Sequence, residues 1–216
     1  MRGGPELARL LAGRGIRDER VLAAIAAVPR ELFVPDDLRR HAYADRALPI
    51  GCGQTISQPF MVATICAALQ LEADARVLDV GTGSGYQAAV LAELAAEVVT
   101  IERVPELADR ARETLARAGY DRVEVRTGDG TLGVPERAPF DGIAVAAAAP
   151  AVPETLYDQL ALGGRVVVPV GSLRDQRLEV VVRRADGPEV TRSVPCRFVP
   201  LVGAAGFDES PAQRLR

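Results

Sequence analysis

A carboxylate and a run of glycines stand where a buried strand should end, in Val77-Leu78-Asp79-Val80-Gly81-Thr82-Gly83-Ser84-Gly85-Tyr86. Glycine has no Cβ, so such a turn lets bare backbone come close to a ligand. One strand later Glu102 follows Val98-Val99-Thr100-Ile101, and a carboxylate at that place can accept both hydroxyls of a ribose. A dinucleotide fingerprint is G-x-G-x-x-G, its last glycine allowing tight packing under a pyrophosphate. Here Gly81, Gly83 and Gly85 give G-x-G-x-G, and Tyr86 occupies the place of the third fingerprint glycine. Asp79 before the loop would oppose a pyrophosphate but could take a hydrogen bond from a cationic amino group. A ligand with adenosine, an ammonium and no phosphate fits S-adenosyl-L-methionine better than NAD. On the loop alone, a tight turn without ligand or an NAD site with a degenerate third glycine stays open.

Further along, Gly128-Asp129-Gly130 closes another strand. Its carboxylate could meet an adenine amino group, or the pair Asp129-Gly130 could simply be a turn. The strand Phe140 to Ala146 runs into Ala147-Ala148-Ala149-Pro150, which offers no side-chain acceptor and so argues against a nucleobase amine as substrate. Ser57 could cap the helix that Pro59 opens or face a substrate. Covalent catalysis by Ser57 is not expected, since no His or Lys adjoins it. His41 reads as structural or exposed, Cys66 as core, and Arg197 either as a clamp on a substrate carboxylate or as an exposed strand arginine.

These residues need a scaffold that gathers loops at one end of a sheet. Helical patterns run from Pro5 to Gly13, from Asp18 as N-cap with Val21, Leu22, Ile25 and Val28 on the apolar face, and from Gln58 to Leu71. Ala47 to Ile50 reads as a short extended piece. Strands are predicted near 76–80, 97–101, 123–127, 140–146 and 165–170, with helices near 84–95, 105–118 and 153–161. That alternation predicts a Rossmann-like α/β fold, a mostly parallel twisted sheet with helices on both faces. Arg177–Arg184 and Glu189–Val199, joined by Asp186-Gly187, predict an antiparallel C-terminal hairpin.

With 216 residues, 48% of them apolar, the chain can fill a sizeable core. Net charge is −3, and the 26 cations, all arginine, are dispersed among acids; no nucleic-acid footprint is expected. Three cysteines at scattered spacings imply neither a disulfide framework nor a metal site. Without a signal-peptide core or a membrane-length apolar run, the chain reads as soluble and cytoplasmic, with no membrane partner.

Two further blocks narrow the reading, Val28-Pro29-Arg30-Glu31-Leu32-Phe33-Val34-Pro35 and Gly51-Cys52-Gly53-Gln54-Thr55-Ile56-Ser57-Gln58-Pro59-Phe60. Together with the glycine loop, Ala138-Pro139-Phe140-Asp141, Gly163-Gly164-Arg165, Pro169-Val170-Gly171 and Arg197-Phe198-Val199-Pro200-Leu201, they make nearly the whole chain resemble the protein-L-isoaspartate O-methyltransferase family, in its bacterial type. The resemblance implies S-adenosyl-L-methionine-dependent methylation of the α-carboxylate of L-isoaspartyl residues in damaged peptides and proteins, with repair through a succinimide. It implies that Ser57 is the active-site hydroxyl beside the reacting carboxylate. It places Thr55, Ile56 and Ser57 over the cofactor, with Gly81, Glu102, Gly128 and Asp129 lining it; the reading of the glycine loop adds Asp79, Gly83 and Gly85 to the cofactor site. Some relatives carry Asp at the position of Glu102 and a bulkier or polar residue at that of Cys52.

The expected organisation is a single methyltransferase domain over 1–216, with a helical and substrate-lid subdomain at 1–71 and a cofactor-binding sheet at 72–216, acting as a monomer and without metal. A carboxylate acceptor is already ionised at neutral pH, so no general base is needed, which suits a chain with no lysine and one histidine. Two other readings are a family relative that methylates aspartates of one dedicated peptide during natural-product maturation, and a non-catalytic nucleotide-binding module.

Overall fold

The computed structural model describes residues 3–208; the ends of the expected 1–216 unit, residues 1–2 and 209–216, lie outside the described residues. Helices α1 (Gly4–Gly13) and α2 (Glu19–Ala27) open the fold, and Asp18 caps α2 by accepting from the Val21 N–H at 3.1 Å. They cross closely because Gly4 has no side chain: a Cβ there would stand 2.2 Å from the Ala26 carbonyl oxygen. Pro29 and Pro35 then stop helix propagation, and the chain makes two 3₁₀ turns, Arg30–Phe33 and Asp36–His41.

The extended piece expected at 47–50 is strand β1 (Leu48–Gly51), which pairs antiparallel with β2 (Gln54–Ile56). The hairpin between them was not predicted. Its turn residues Cys52 and Gly53 both have positive φ, +50° and +68°, the pattern of a two-residue hairpin turn that Asn-Gly would have signalled. Helix α3 (Pro59–Leu69) starts with proline in its first turn and ends where Gln70 adopts φ +50°. It buries Met61, Val62, Ala63, Ile65, Cys66 and Leu69.

The main sheet is built from β3 (Arg76–Val80), β4 (Glu97–Glu102), β5 (Glu124–Thr127), β6 (Phe140–Val145), β7 (Leu160–Gly171), β8 (Gln176–Arg184) and β9 (Gly187–Cys196). Helices α4 (Tyr86–Ala92), α5 (Pro105–Arg117) and α6 (Glu154–Asp158) alternate with its strands. The seven strands run in the order β5-β4-β3-β6-β7-β8-β9. Pairs from β5 to β7 are parallel, and β8 and β9 add antiparallel. This is the expected Rossmann-like class. The strand order reverses at β3, with β4 on one side and β6, reached from β5, on the other, so a crevice opens at the carboxyl ends of these strands.

Strand periodicity divides the core in two. Leu78 and Val80 of β3 join Ile143 and Val145 of β6 on one face, whereas Val77 turns to the other. The helices are shared unequally. Residues of α1 to α5 form one buried cluster with Val77, Ala144 and Val167, while the opposite face is closed by Leu156 of α6, Val134 and Leu201.

The expected helix 153–161 is shorter because Gln159 leaves it. The Gln159 Oε1 accepts from the Val134 N–H at 2.8 Å, and its Nε2 donates to the carbonyls of Leu132 and Thr155, each at 2.8 Å. Phe140 N–H donates to the Gln159 carbonyl at 2.8 Å, so the chain enters the sheet at Leu160, well before Arg165. At the hairpin, Gly187 (φ +126°) is already paired with Arg184, so the turn is Ala185-Asp186 and not Asp186-Gly187. The final strand ends at Cys196, short of the expected Val199.

Candidate active site

The glycine loop leaves β3 at Val80 and enters α4 at Tyr86, with Gly81, Gly83 and Gly85 at φ +93°, +53° and +89°. All three conformations favour glycine, but the three have different surroundings. Gly81 and Gly83 line a cleft at the carboxyl ends of β3, β4 and β6. Gly85 lies off that lining: a Cβ on it would be 3.1 Å from the Leu115 Cγ of α5. It therefore does the helix-packing work that a dinucleotide fingerprint gives to the residue after it.

Glu102 is 6% exposed and lies on the cleft wall. Its Oε2 accepts from the Gly83 N–H at 2.9 Å and its Oε1 from the Val104 N–H at 3.0 Å. The two backbone donors fix the carboxylate plane and leave a lone pair on each oxygen for a diol.

Asp79 is placed differently from the sequence-based expectation. It is fully buried and absent from the cleft lining. Gln87 Nε2 donates to its Oδ1 and Thr100 Oγ1 to its Oδ2, both at 2.8 Å. The Thr82 hydroxyl lies 2.6 Å from that of Thr100 and extends the chain into the glycine loop. Burial pushes the Asp79 carboxyl up to about 6 despite those two donors. Its contact with a ligand ammonium would be indirect, through the loop that this network holds.

Gly128 and Asp129 are also off the lining; the residue that reaches it there is Gly130. A Cβ on Gly128 would lie 3.5 Å from the Ile101 Cδ1. The Asp129 Oδ1 accepts from the Thr131 N–H at 2.9 Å and its hydroxyl at 2.7 Å, and Oδ2 accepts from the Ala204 N–H at 2.8 Å. Partial burial opposes this charge, but the donors on Thr131 and Ala204 and the positive Arg103 outweigh it and hold the pKa below the ordinary value. The carboxylate expected at an adenine amino group thus anchors the C-terminal loop, whose residues Val199 to Val202 form one wall of the cleft.

The β1–β2 hairpin closes the cleft from the N-terminal side. Ile50 packs over the loop, its Cδ1 3.5 Å from where a Cβ on Gly83 would be, and Arg110 Nη2 of α5 donates to the Ile50 carbonyl at 2.9 Å. Thr55, Ile56 and Ser57 all reach the lining. A second cleft opens behind them, lined among others by Asp45, Arg46, Met61, Cys196 and Arg197. Thr55, Ser57, Ala146 and Val199 line both, so Ser57 stands on the wall where the two meet.

Ser57 is not the helix cap. The N-cap position of α3 is Gln58, which makes no side-chain cap bond. Asp45 does the capping: its Oδ1 accepts from the Phe60 N–H at 2.9 Å, and its Oδ2 from Gln58 Nε2 at 3.2 Å. Arg14 ion-pairs with Asp45 from outside. The Ser57 hydroxyl has no hydrogen-bond partner among the described residues, so it can donate to a ligand. Arg46 and Arg197 are exposed, and their side chains have no hydrogen-bond or ion-pair partner among the described residues.

Sequence reasoning missed Asp45, whose neighbours Ala44 and Arg46 carry no capping signal. It also missed the threonine pair Thr82 and Thr100, which only the parallel pairing of β3 with β4 brings together. His41 lies on neither cleft. Cys66 is core, its thiol raised by burial, and Cys196 lines the second cleft with its thiol pushed up to about 11, also by burial. Among the described residues no cluster of His, Cys, Asp and Glu could hold a metal ion.

The arrangement has a donor cleft with a diol acceptor and a loop that presents bare backbone at Gly81 and Gly83. An acceptor cleft with cationic side chains adjoins it, and a hydroxyl sits between them. Such a site can carry a group from a nucleoside-linked donor to an anionic acceptor. Comparison with known proteins agrees with this. Residues 5–206 match the family model of protein-L-isoaspartate(D-aspartate) O-methyltransferase. A protein-L-isoaspartate O-methyltransferase of Methanoculleus marisnigri is 55% identical over 197 residues, covering 91% of this chain and 90% of that protein. Among solved structures, one protein-L-isoaspartate O-methyltransferase superposes with a TM-score of 0.85 at 31% identity, covering 93% of this chain and 66% of that longer one. A Plasmodium falciparum structure assigned to the same activity, in complex with S-adenosyl-L-homocysteine, superposes with a TM-score of 0.81 at 26% identity, covering 94% and 99%.

Proposed function

Because the chain belongs to the protein-L-isoaspartate(D-aspartate) O-methyltransferase family, we propose that it methylates the α-carboxylate of L-isoaspartyl residues in damaged peptides and proteins. The ester collapses to a succinimide, which reopens partly to normal aspartate. The observation that carries this reading is the meeting of the two clefts at Ser57.

The residues fit S-adenosyl-L-methionine on the evidence of their own bonding. Glu102 keeps a lone pair on each oxygen toward the cleft, which suits a ribose diol. Gly81 and Gly83 present bare backbone between the Thr82 and Ser84 side chains, and Val199 to Val202 close the far wall. When bound, this cofactor supplies an electrophilic methyl group on a sulfonium.

The chain's own residues then have a limited task. The acceptor carboxylate is ionised at neutral pH, so nothing has to remove a proton from it. Ser57 donates a hydrogen bond that orients the carboxylate without protonating it. Arg46 and Arg197 supply positive charge toward the acceptor cleft. The β1–β2 hairpin and the apolar Ala146 exclude water from a step in which an anion meets a cation, and orientation of the two reactants is worth about 7–11 kcal/mol when well achieved.

Residues 1–71 act as the helical and substrate-lid part and 72–216 as the donor-binding sheet, whose C-terminal end also brings Arg197 to the acceptor cleft. We place the protein in the cytoplasm as a monomer, without a nucleic-acid partner. Net charge is −3, and no helix among the described residues is long and apolar enough to cross a membrane. Mass spectrometry of an isoaspartyl peptide incubated with protein and S-adenosyl-L-methionine tests the function. A methyl ester should appear first, then the succinimide, then the aspartyl peptide; an unchanged isoaspartyl peptide would rule the function out.

A further inference from the structure

Arg30 belongs to the Val28-to-Pro35 block, and the chemistry above does not use it. It is fully buried, yet no carboxylate pairs with it among the described residues. An arginine taken out of water without an acid partner is costly, so the groups that hold it have to account for its presence. Its Nε donates to the Ala42 carbonyl at 2.9 Å, and one terminal nitrogen donates to the Ser57 carbonyl at 2.7 Å. The guanidinium carbon lies 4.4 Å from the centroid of the Tyr86 ring, a cation–π contact. Phe33 meets the same ring edge-on at 5.7 Å and locks its plane.

Tyr86 is the first residue of α4, directly after the glycine loop, and Ser57 stands between the clefts. One side chain thus joins the segment that faces the acceptor to the loop that faces the donor. Its second terminal nitrogen and the Tyr86 hydroxyl are buried with no partner among the described residues. The side chain is therefore held by the two carbonyls and the ring face.

We propose that Arg30 is a positioning residue for methyl transfer, fixing Ser57 against the donor loop through its bond to the Ser57 carbonyl and its stacking on Tyr86. The proposal rests on the isoaspartyl methyltransferase reading. A planar fork is needed for both tasks at once: lysine can donate to one carbonyl but cannot stack in the same geometry. A displaced Ser57 slows the chemical step, because misplacement of about 1 Å can cost about 100-fold. Donor binding should change far less than the chemical step: Ser57 and Tyr86 also line the donor cleft, but Glu102, Gly81 and Gly83 share no hydrogen bond with Arg30 among the described residues.

The test compares the parent protein with Arg30→Met and Arg30→Lys. Thermal melting, S-adenosyl-L-homocysteine affinity, and kcat and KM on an isoaspartyl peptide are measured for each. The expected result is a kcat lower by about 100-fold in Arg30→Met and by less in Arg30→Lys, with S-adenosyl-L-homocysteine affinity within about threefold of parent. A kcat within about twofold of parent in the folded variants would overturn the proposal. So would an affinity that falls in step with kcat, the mark of general loosening. If Arg30→Met does not fold, Arg30→Lys decides by the same criteria. Failure of the functional reading shows separately, as a parent protein inactive on the peptide, and the positioning role falls with it.

Discussion

The carboxylate of Asp45 caps α3 by accepting the Phe60 N–H at 2.9 Å, which frees Ser57 from the capping role that its place before Pro59 suggests. The two residues should therefore fail differently. Asp45→Ala removes a cap and should lower stability by about 1 kcal/mol in urea unfolding. Ser57→Ala should leave the unfolding midpoint unchanged. It should lower kcat/KM on an isoaspartyl peptide by about 10- to 100-fold, the value of one hydrogen bond to a charged group. A Ser57→Ala protein that loses stability like Asp45→Ala while keeping its activity would return Ser57 to a structural role.

Glu102 is held by two backbone donors and faces the donor cleft. In Glu102→Gln, one amide group must point its N–H toward the Gly83 or Val104 N–H. Affinity for S-adenosyl-L-homocysteine should fall by about 10- to 100-fold, the loss of a charged acceptor for the ribose diol. Isothermal titration measures it, and an affinity equal to that of the parent would remove Glu102 from the donor site.

Asp79 makes stability depend on pH in a direction unusual for a carboxylate. Burial raises its pKa from 3.8 to about 6, so between those values the folded state holds more proton than the unfolded state. Its contribution is then most favourable below the unfolded value and is lost as pH rises through about 6, by about 3 kcal/mol in all. Asp129 and Glu97, whose pKa values are lowered, act in the opposite sense and at lower pH. Subtracting the urea-unfolding profile of Asp79→Asn from that of the parent should isolate a fall between pH 4 and 6. A flat difference would mean that Asp79 is not the buried acid described.

Cys52 holds φ +50° in the hairpin turn, a conformation that costs most residues about 1–2 kcal/mol and asparagine less. Cys52→Asn should raise stability by about 0.5–1 kcal/mol, with activity kept, since the change sits at the turn and not on a cleft wall. A lower melting temperature would show that the Cys52 side chain contributes packing that the turn geometry hides.

Much of this was legible in the chain, and the limits have a physical cause. Strand β3 falls where a short apolar run and the following glycines place it, and Glu102 reaches the cleft because a strand end fixes its side chain. Thr55, Ile56 and Ser57 were found through the family resemblance. The residues that fell off the lining, Asp79, Gly85, Gly128 and Asp129, sit within one or two positions of those that reach it. Local spacing locates a loop, but the hydrogen bonds that turn one side chain inward come from remote partners: Thr100 for Asp79, Ala204 for Asp129. Asp45 and Arg30 were invisible as site residues for the same reason, since each acts on backbone brought near only by folding. The β1–β2 hairpin was missed because a cysteine occupies a position that usually takes asparagine.

The central claim is that the acceptor is an isoaspartyl carboxylate. It is tested most directly by incubating the protein with S-adenosyl-L-methionine labelled in its methyl group and two peptides that differ only in isoaspartate against aspartate. Volatile label released by mild base is then measured. The account predicts base-labile methyl ester on the isoaspartyl peptide alone. Equal label on both peptides, or none on either, would contradict it.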